Sequence, residues 1–255
     1  VEHPKIDEYE DYLFLVMHFP LFDRQRQVTR PSEVDFFIGA NYLITIHDGV
    51  LKPLIQLFDR CQEDEEIRQR YMGKGAGHLL YSILDILVDS LFPMLNKIGG
   101  HLRQIEEDMF TENVREIVQR ISLVRRDIIA MRRVIRPQLS VVVALEKGER
   151  PFLQEDLEVY WGDVADAFRR AWDILENYSE VIEGLADTSD SVTSYRINEV
   201  MRTLTVISVI MLPLTLLSGI YGMNVILPLA TYPWAFFLIL GMMAATALVM
   251  LWVFR

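Results

Sequence analysis

The sequence predicts an α+β region with long helices, followed by two hydrophobic helices that cross a bilayer. Three observations predict it. Every charged residue except Arg255 lies between Val1 and Arg202, and Thr203 to Phe254 holds no Asp, Glu, Lys, Arg or His. Short apolar runs bounded by turn residues occupy the first fifty positions, as strands do. Beyond Leu51 the apolar residues recur every three or four positions, the period of amphipathic helices.

The uncharged segment decides the class. An ionised side chain at the centre of a bilayer costs about 2.5–3.5 kcal/mol on the mildest scale, so a long uncharged stretch in a charge-rich chain belongs in hydrocarbon. About 20 residues cross the hydrocarbon once, so the stretch makes two spans: residues 204–220 and residues 232–254. Between them, residues 221–231 contain Gly222, Asn224 and Pro228, which break a helix and form a short external loop. Arg196 and Arg202 precede the first span and Arg255 follows the second. The positive-inside rule then places both ends in the cytoplasm of a multi-pass protein of the cell membrane.

The remainder reads in order. Residues 1–50 look like the rest of a cytoplasmic α/β domain, with strands at Tyr12 to Val16, Val34 to Ile38 and Tyr42 to Ile46; Gly39-Ala40-Asn41 turns the last two into a hairpin. The chain starts at Val1 rather than Met, and the domain is expected to be clipped at its front. Residues 51–152 form a helical region, with one amphipathic stripe through Leu79, Ile83, Ile86 and Leu87 and a second through Val114, Ile117, Ile121, Val124, Ile128 and Met131. Gly99-Gly100 is expected to divide the first stretch, and residues 147–151 to form a loop. Residues 153–220 then read as one helix continuing into the first span, about 90 Å long at 1.5 Å per residue.

Several kinds of chemistry are excluded. The five histidines have no metal-protease spacing, and Cys61 has no second cysteine for a zinc site or a disulfide. Gly73 to Gly77 lacks the spacing of a phosphate loop and reads as a flexible lead-in to a helix at His78. The formal net charge of −11 repels nucleic acid. No enzyme motif and no organic cofactor site is visible.

Two features remain. Asp85 and Asp89 lie one helical turn apart, and Asp163 and Asp166 repeat that pairing. Two solvated faces are the plainer account, but Asp85 is flanked by Ile83, Leu84, Ile86, Leu87 and Val88, and a carboxylate among apolar residues calls for a cationic partner. A divalent cation such as Mg²⁺, held by one or two carboxylates with its waters retained, is one candidate. In the first span, stepping by three or four residues from Asn198 gives Met201, Leu204 or Thr205, Ser208, Leu212, Thr215 and Gly219. The opposite positions, Val206, Ile210, Leu214 and Leu217, are wholly apolar. The mixed face is either a helix-packing seam or a polar path, and two helices alone cannot enclose such a path, so transport requires several copies of the chain. Gly241-x-x-x-Ala245 in the second span is expected to be a packing seam, and Pro213 to bend the first span.

Tyr221-Gly222-Met223-Asn224, after a proline-containing span and before a second span at the chain's end, resembles the signature of the CorA family of magnesium transporters. Asn198-Glu199-Val200-Met201, Met211-Leu212-Pro213-Leu214-Thr215 and the opening His3-Pro4-Lys5 through Tyr12-Leu13-Phe14 also resemble the family's pattern. The resemblance covers essentially the whole chain.

It implies a homopentamer embedded in lipid, with a funnel-shaped cytoplasmic domain and the first span lining the pore. Gly222, Met223 and Asn224 would ring the outer mouth. Asn198, Met201, Leu204, Leu212 and Thr215 would face the pore, position 212 carrying leucine where some members carry methionine. Asp85 and Asp163 match acids of the regulatory metal sites between subunits. The expected activity is electrophoretic uptake of Mg²⁺ gated by cytoplasmic Mg²⁺. The alternatives are Co²⁺, Ni²⁺ or Zn²⁺ transport, or a membrane-anchored metal sensor or scaffold that conducts nothing.

Overall fold

The structure is a computed structural model that describes residues 2–23, 25–26, 28–111, 113–147, 158–223, 232 and 234–253. It divides into two compact units, Val1–Ser189 and Asp190–Arg255.

In the first unit four antiparallel strands lie in the order β1 (Lys5–Glu8), β2 (Leu13–Asp23), β3 (Val28–Ile38) and β4 (Leu43–His47). The β2–β3 ladder sets the sheet, running from Leu13 opposite Ile38 to Asp23 opposite Val28. Alternation in β3 buries Ser32, Val34, Phe36 and Ile38 while Glu33, Asp35 and Phe37 face the other side, as the two-residue period of a strand requires. The hairpin at Gly39 closes with the Gly39 N–H donating to the Tyr42 carbonyl at 3.0 Å. The strands exceed the apolar runs. β2 continues through Pro20 and β3 begins ahead of Pro31, and these two prolines face each other in the register. β1 is charged and short, and its pairing with residues 13–16 makes it a strand.

Among the described residues seven helices follow: α1 (Lys52–Glu63), α2 (Glu65–Met72), α3 (Ala76–Asp89), α4 (Leu91–Asp108), α5 (Val114–Lys147), α6 (Glu158–Tyr221) and α7 (Ala235–Val253). Asp64 separates α1 from α2 and caps the latter, its carboxylate accepting from the N–H groups of Glu66 and Ile67. Gly75, at φ 96°, reverses the chain ahead of α3, a conformation that disfavours any residue with a Cβ. Helix α5 packs on β2 and β3, and α3 on β3 and β4. The core joins Leu15, Phe19 and Phe36 of the sheet to Leu84, Leu95, Met131 and Phe168 of the helices.

Gly99-Gly100 does not divide this region. Both lie inside α4, and the break falls at Ser90, between α3 and α4. Packing explains the glycine: a methyl group on Gly99 would fall on the Tyr178 hydroxyl, whereas nothing lies within 4 Å of one on Gly100.

In the second unit, the end of α6 and the whole of α7 are strongly apolar, with mean hydropathy of 2.1 and 2.4, and none of either window is buried. The α3–α4 stretch is also apolar enough to span a bilayer by composition, but 44% of its window is buried in the first unit's core. On α6, Val206, Ile210, Leu214 and Leu217 are half-buried and the opposite side is exposed. On α7, Ala235 is buried and Ile239, Met243, Thr246, Ala247 and Met250 are half-buried. Gly241 and Ala245 are exposed, with nothing near the missing Cβ of Gly241, so the small-residue pair is not a seam within this chain. Pro213 lies inside α6 without ending it. Phe254, Arg255 and residues 224–231 lie outside the described residues.

Gly100→Ala should stabilise the protein by about 1 kcal/mol through helix propensity alone. Gly99→Ala should be less stable than Gly100→Ala by about 1–3 kcal/mol, the usual cost of overpacking. Tyr178→Phe in the Gly99→Ala background should recover most of the difference in denaturant unfolding.

Candidate functional site

Asp85 and Asp163 come together within a single chain. The rings of Tyr81 on α3 and Tyr160 on α6 lie 4.9 Å apart, and Tyr81 meets Trp161 edge-on at 6.3 Å. This aromatic contact brings one face of α3 against α6. The two carboxylates then line one concavity of about 560 Å³, with Asp89, Asp166 and Asp173 and the guanidinium groups of Arg169 and Arg170.

The field there is negative. Arg169 is engaged at its edge, donating to Glu146 at 2.8 Å and to Asp166 at 2.7 Å. Burial raises the Asp85 carboxyl above the usual carboxylate range, and the neighbouring charges of Asp89 and Asp163 raise it further. Tyr81 is shifted upward by burial and by the same acids. Among the described residues no group of three or more His, Cys, Asp or Glu side chains is arranged to enclose a bare metal ion. A wide acidic concavity of this kind suits a cation that keeps its water, as Mg²⁺ does.

The second group of candidates lies on α6. Asn198, Met201, Leu204, Leu212 and Thr215 are all exposed, Met201 and Leu204 by about half and Leu212 by 70%. Leu212, Thr215 and Met223 line one shallow concavity with Ser208 and Gly219. The Thr215 hydroxyl donates to the Met211 carbonyl at 2.8 Å, which leaves its oxygen lone pairs outward. Helix α6 closes at Tyr221, where the Gly222 N–H donates to the Ser218 carbonyl at 2.9 Å and the Met223 N–H to Ile220 at 3.3 Å. A Cβ on Gly222 would approach that Ser218 carbonyl to 3.0 Å. Asn224 lies outside the described residues.

A family model described as "CorA-like Mg2+ transporter protein" matches residues 1–255. The chain belongs to the CorA family. The family is one of membrane ion transporters, not enzymes, and its members carry divalent cations. The cobalt/magnesium transport protein CorA of Thermotoga maritima is 29% identical over the full length of this chain, which covers 72% of that protein. The solved structure of the CorA magnesium transporter from Methanocaldococcus jannaschii superposes with a TM-score of 0.87 at 25% identity, covering all of this chain and 79% of that one. The zinc transport protein ZntB of Yersinia pseudotuberculosis is 25% identical over 59% of this chain and 46% of its own length. CorA membership is consistent with the apolar helices α6 and α7 and with Gly222-Met223-Asn224 between them in the sequence.

Spacing along the sequence paired Asp85 with Asp89 and Asp163 with Asp166, and the family resemblance singled out Asp85 and Asp163. Both missed Asp173, Tyr81 and Arg169, because their place in the pocket depends on how α3, α5 and α6 pack.

A raised Asp85 carboxyl favours the fold most fully below about pH 3.9, the unfolded carboxylate value, and that contribution is lost as pH rises through the raised value. A divalent cation bound in the concavity would offset the loss. Mg²⁺ at a hundred times its dissociation constant should therefore stabilise the full chain by about 2.7 kcal/mol near pH 7.5. In thermal unfolding the gain should shrink as the pH approaches 4, and Asp85→Asn should reduce it while stabilising the metal-free protein.

Proposed function

We propose that the chain forms a homopentamer that takes up Mg²⁺, with α6 of each subunit lining a pore and α7 facing lipid. The observation that carries this reading is the α6 face from Asn198 to Thr215. It is uncharged and exposed in the single chain, and it mixes oxygen-bearing with apolar side chains. One chain supplies no enclosure for it, and a ring of copies does. Both ends of the chain lie in the cytoplasm under this reading, because the flanking arginines obey the positive-inside rule.

No charged side chain from Thr203 to Phe254 could strip a cation of its inner water shell. Mg²⁺ therefore passes hydrated, its outer waters exchanged for oxygens at Gly222, Met223 and Asn224. Residues 221–231 carry no acid to concentrate cations there. The C-terminal end of α6 offers a substitute, since a helix end carries about half a negative charge and unpaired carbonyls, and several such ends converge in a ring. An inside-negative potential contributes about 4.6 kcal/mol per 100 mV to a divalent ion, so uptake needs no ATP.

Cytoplasmic Mg²⁺ held at Asp85 and Asp163 offsets the repulsion among the acids of that concavity and keeps the pore closed. Its loss lets the acidic surfaces separate and the constriction between Met201 and Leu212 widen.

Liposome flux separates the parts of this mechanism. Asp163→Ala should be less inhibited by internal Mg²⁺ than the unaltered chain, and unchanged inhibition removes the gating role. Asn224→Ala should abolish uptake, and a fully active variant refutes the assignment of the mouth. The likeness to a zinc transporter and to a cobalt/magnesium transporter supports a second reading in which Zn²⁺ or Co²⁺ is the preferred ion. Competition of each ion against Mg²⁺ influx distinguishes the two. A chain that carries no ion-dependent current at all would instead be a metal sensor or scaffold.

A further inference from the structure

A second cavity, of about 670 Å³, opens between α4 and α5 beside the distal end of the β2–β3 ladder, away from the acidic concavity and built from different residues. Its volume is that of a site for a small organic molecule. Its body is apolar, formed by Phe22, Met94, Ile98, Val124 and Met131, with Leu123 on the rim. Its charges run against those of the chain as a whole, which carries a formal net charge of −11. Lys97, Arg120 and Arg126 line it against one carboxylate, Asp127, and His101 adds a titratable ring.

The local charges nearly balance. Arg120 is paired with Asp108 at 2.8 Å, and Arg126 lies 3.8 Å from Asp127. Lys97 takes part in no ion pair among the described residues; its ammonium stands 5.2 Å from the centre of the Phe22 ring. One positive charge is left over at the edge of an apolar cavity. The Asp127 Oδ1 atom, the one that faces Arg126, is buried with no hydrogen-bond partner, while the side chain as a whole keeps 22% of its surface exposed as an acceptor at the cavity.

We propose that this cavity binds a small organic monoanion with an apolar body and a hydrogen-bond donor, such as a hydroxylated aromatic carboxylate. The body lies against Phe22, Met94 and Val124, the anionic group meets Lys97, and the donor meets the Asp127 carboxylate on the part of its side chain that stays exposed. The Lys97 ammonium favours an anionic group, and the apolar walls exclude a free inorganic ion.

The test is titration calorimetry on the full chain in nanodiscs, with empty nanodiscs subtracted and 6-hydroxy-2-naphthoate as the probe. Saturable binding is expected, with 2-naphthol (no charge) and acetate (no apolar body) at least tenfold weaker, and 2-naphthoate (no donor) weaker by a smaller factor. Lys97→Ala should weaken the probe about tenfold or more, the loss of one charge-assisted contact. Leu123→Trp, at a rim position that is 44% exposed and tolerant of bulk, should block the cavity. No saturable binding, equal affinity for 2-naphthol and the probe, or indifference to both substitutions would overturn the proposal. The ligand series on the unaltered chain decides the matter even where a variant fails to fold.

Discussion

The cost of placing charge in hydrocarbon organises this chain. Every Asp, Glu, Lys, Arg and His is kept out of residues 203–254, and the charged residues other than Arg255 are gathered up to Arg202. Helix α6 carries that division in one continuous element, with Asp163 in its charged first part and Leu212 and Thr215 in its uncharged second part. The oxygen atoms left in the apolar part are neutral, on Thr, Ser and the backbone. Threonines 203, 205 and 215 return their protons to carbonyls one turn earlier, which makes the hydroxyls compatible with hydrocarbon and leaves lone pairs for water.

Electrostatics in the first unit follow the opposite logic. Asp85, Asp89, Asp163, Asp166 and Asp173 share a concavity with two arginines, and Arg169 is held at its edge by Glu146 and Asp166. The acids outnumber the bases, and the Asp85 carboxyl is raised first by its burial and then by the neighbouring charges of Asp89 and Asp163. A hydrated divalent cation held there, as proposed above, would offset that repulsion without inner-sphere ligands. The α4–α5 cavity has the reverse polarity, with bases around one orphaned carboxylate oxygen, so the same unit presents two fields of opposite sign on different faces of its helices.

Much of the secondary structure was legible because burial imposes a period. The stripe from Ile117 through Met131 is buried along α5 as its three- and four-residue spacing requires. The stripe near residue 80 turns slightly, with Leu80, Leu84 and Leu87 fully buried and Leu79 and Ile86 at its margin. Other features were not legible. Lys5–Glu8 has no strand-like composition and is a strand only because β2 offers it an edge. Gly99-Gly100 reads as a break locally, yet Gly99 is a contact residue for Tyr178, and a glycine selected for close approach looks the same in sequence as one selected for flexibility. Leu13 to Asp23 outran its apolar run because a ladder extends wherever its partner extends, through a facing pair of prolines if need be.

The sequence by itself determined the family, the uncharged pair of helices and the placement of Gly222-Met223-Asn224 after the first of them, since hydropathy, charge exclusion and a contiguous motif are properties of neighbouring residues. Tertiary structure alone decided that Asp85 and Asp163 share one concavity within a chain, that Tyr81 and Asp173 join them, and that Lys97 and Asp127 line one cavity between α4 and α5. Such shared linings depend on the way side chains of distant segments interlock, as the rings of Tyr81, Tyr160 and Trp161 do, and no local period encodes which faces will touch.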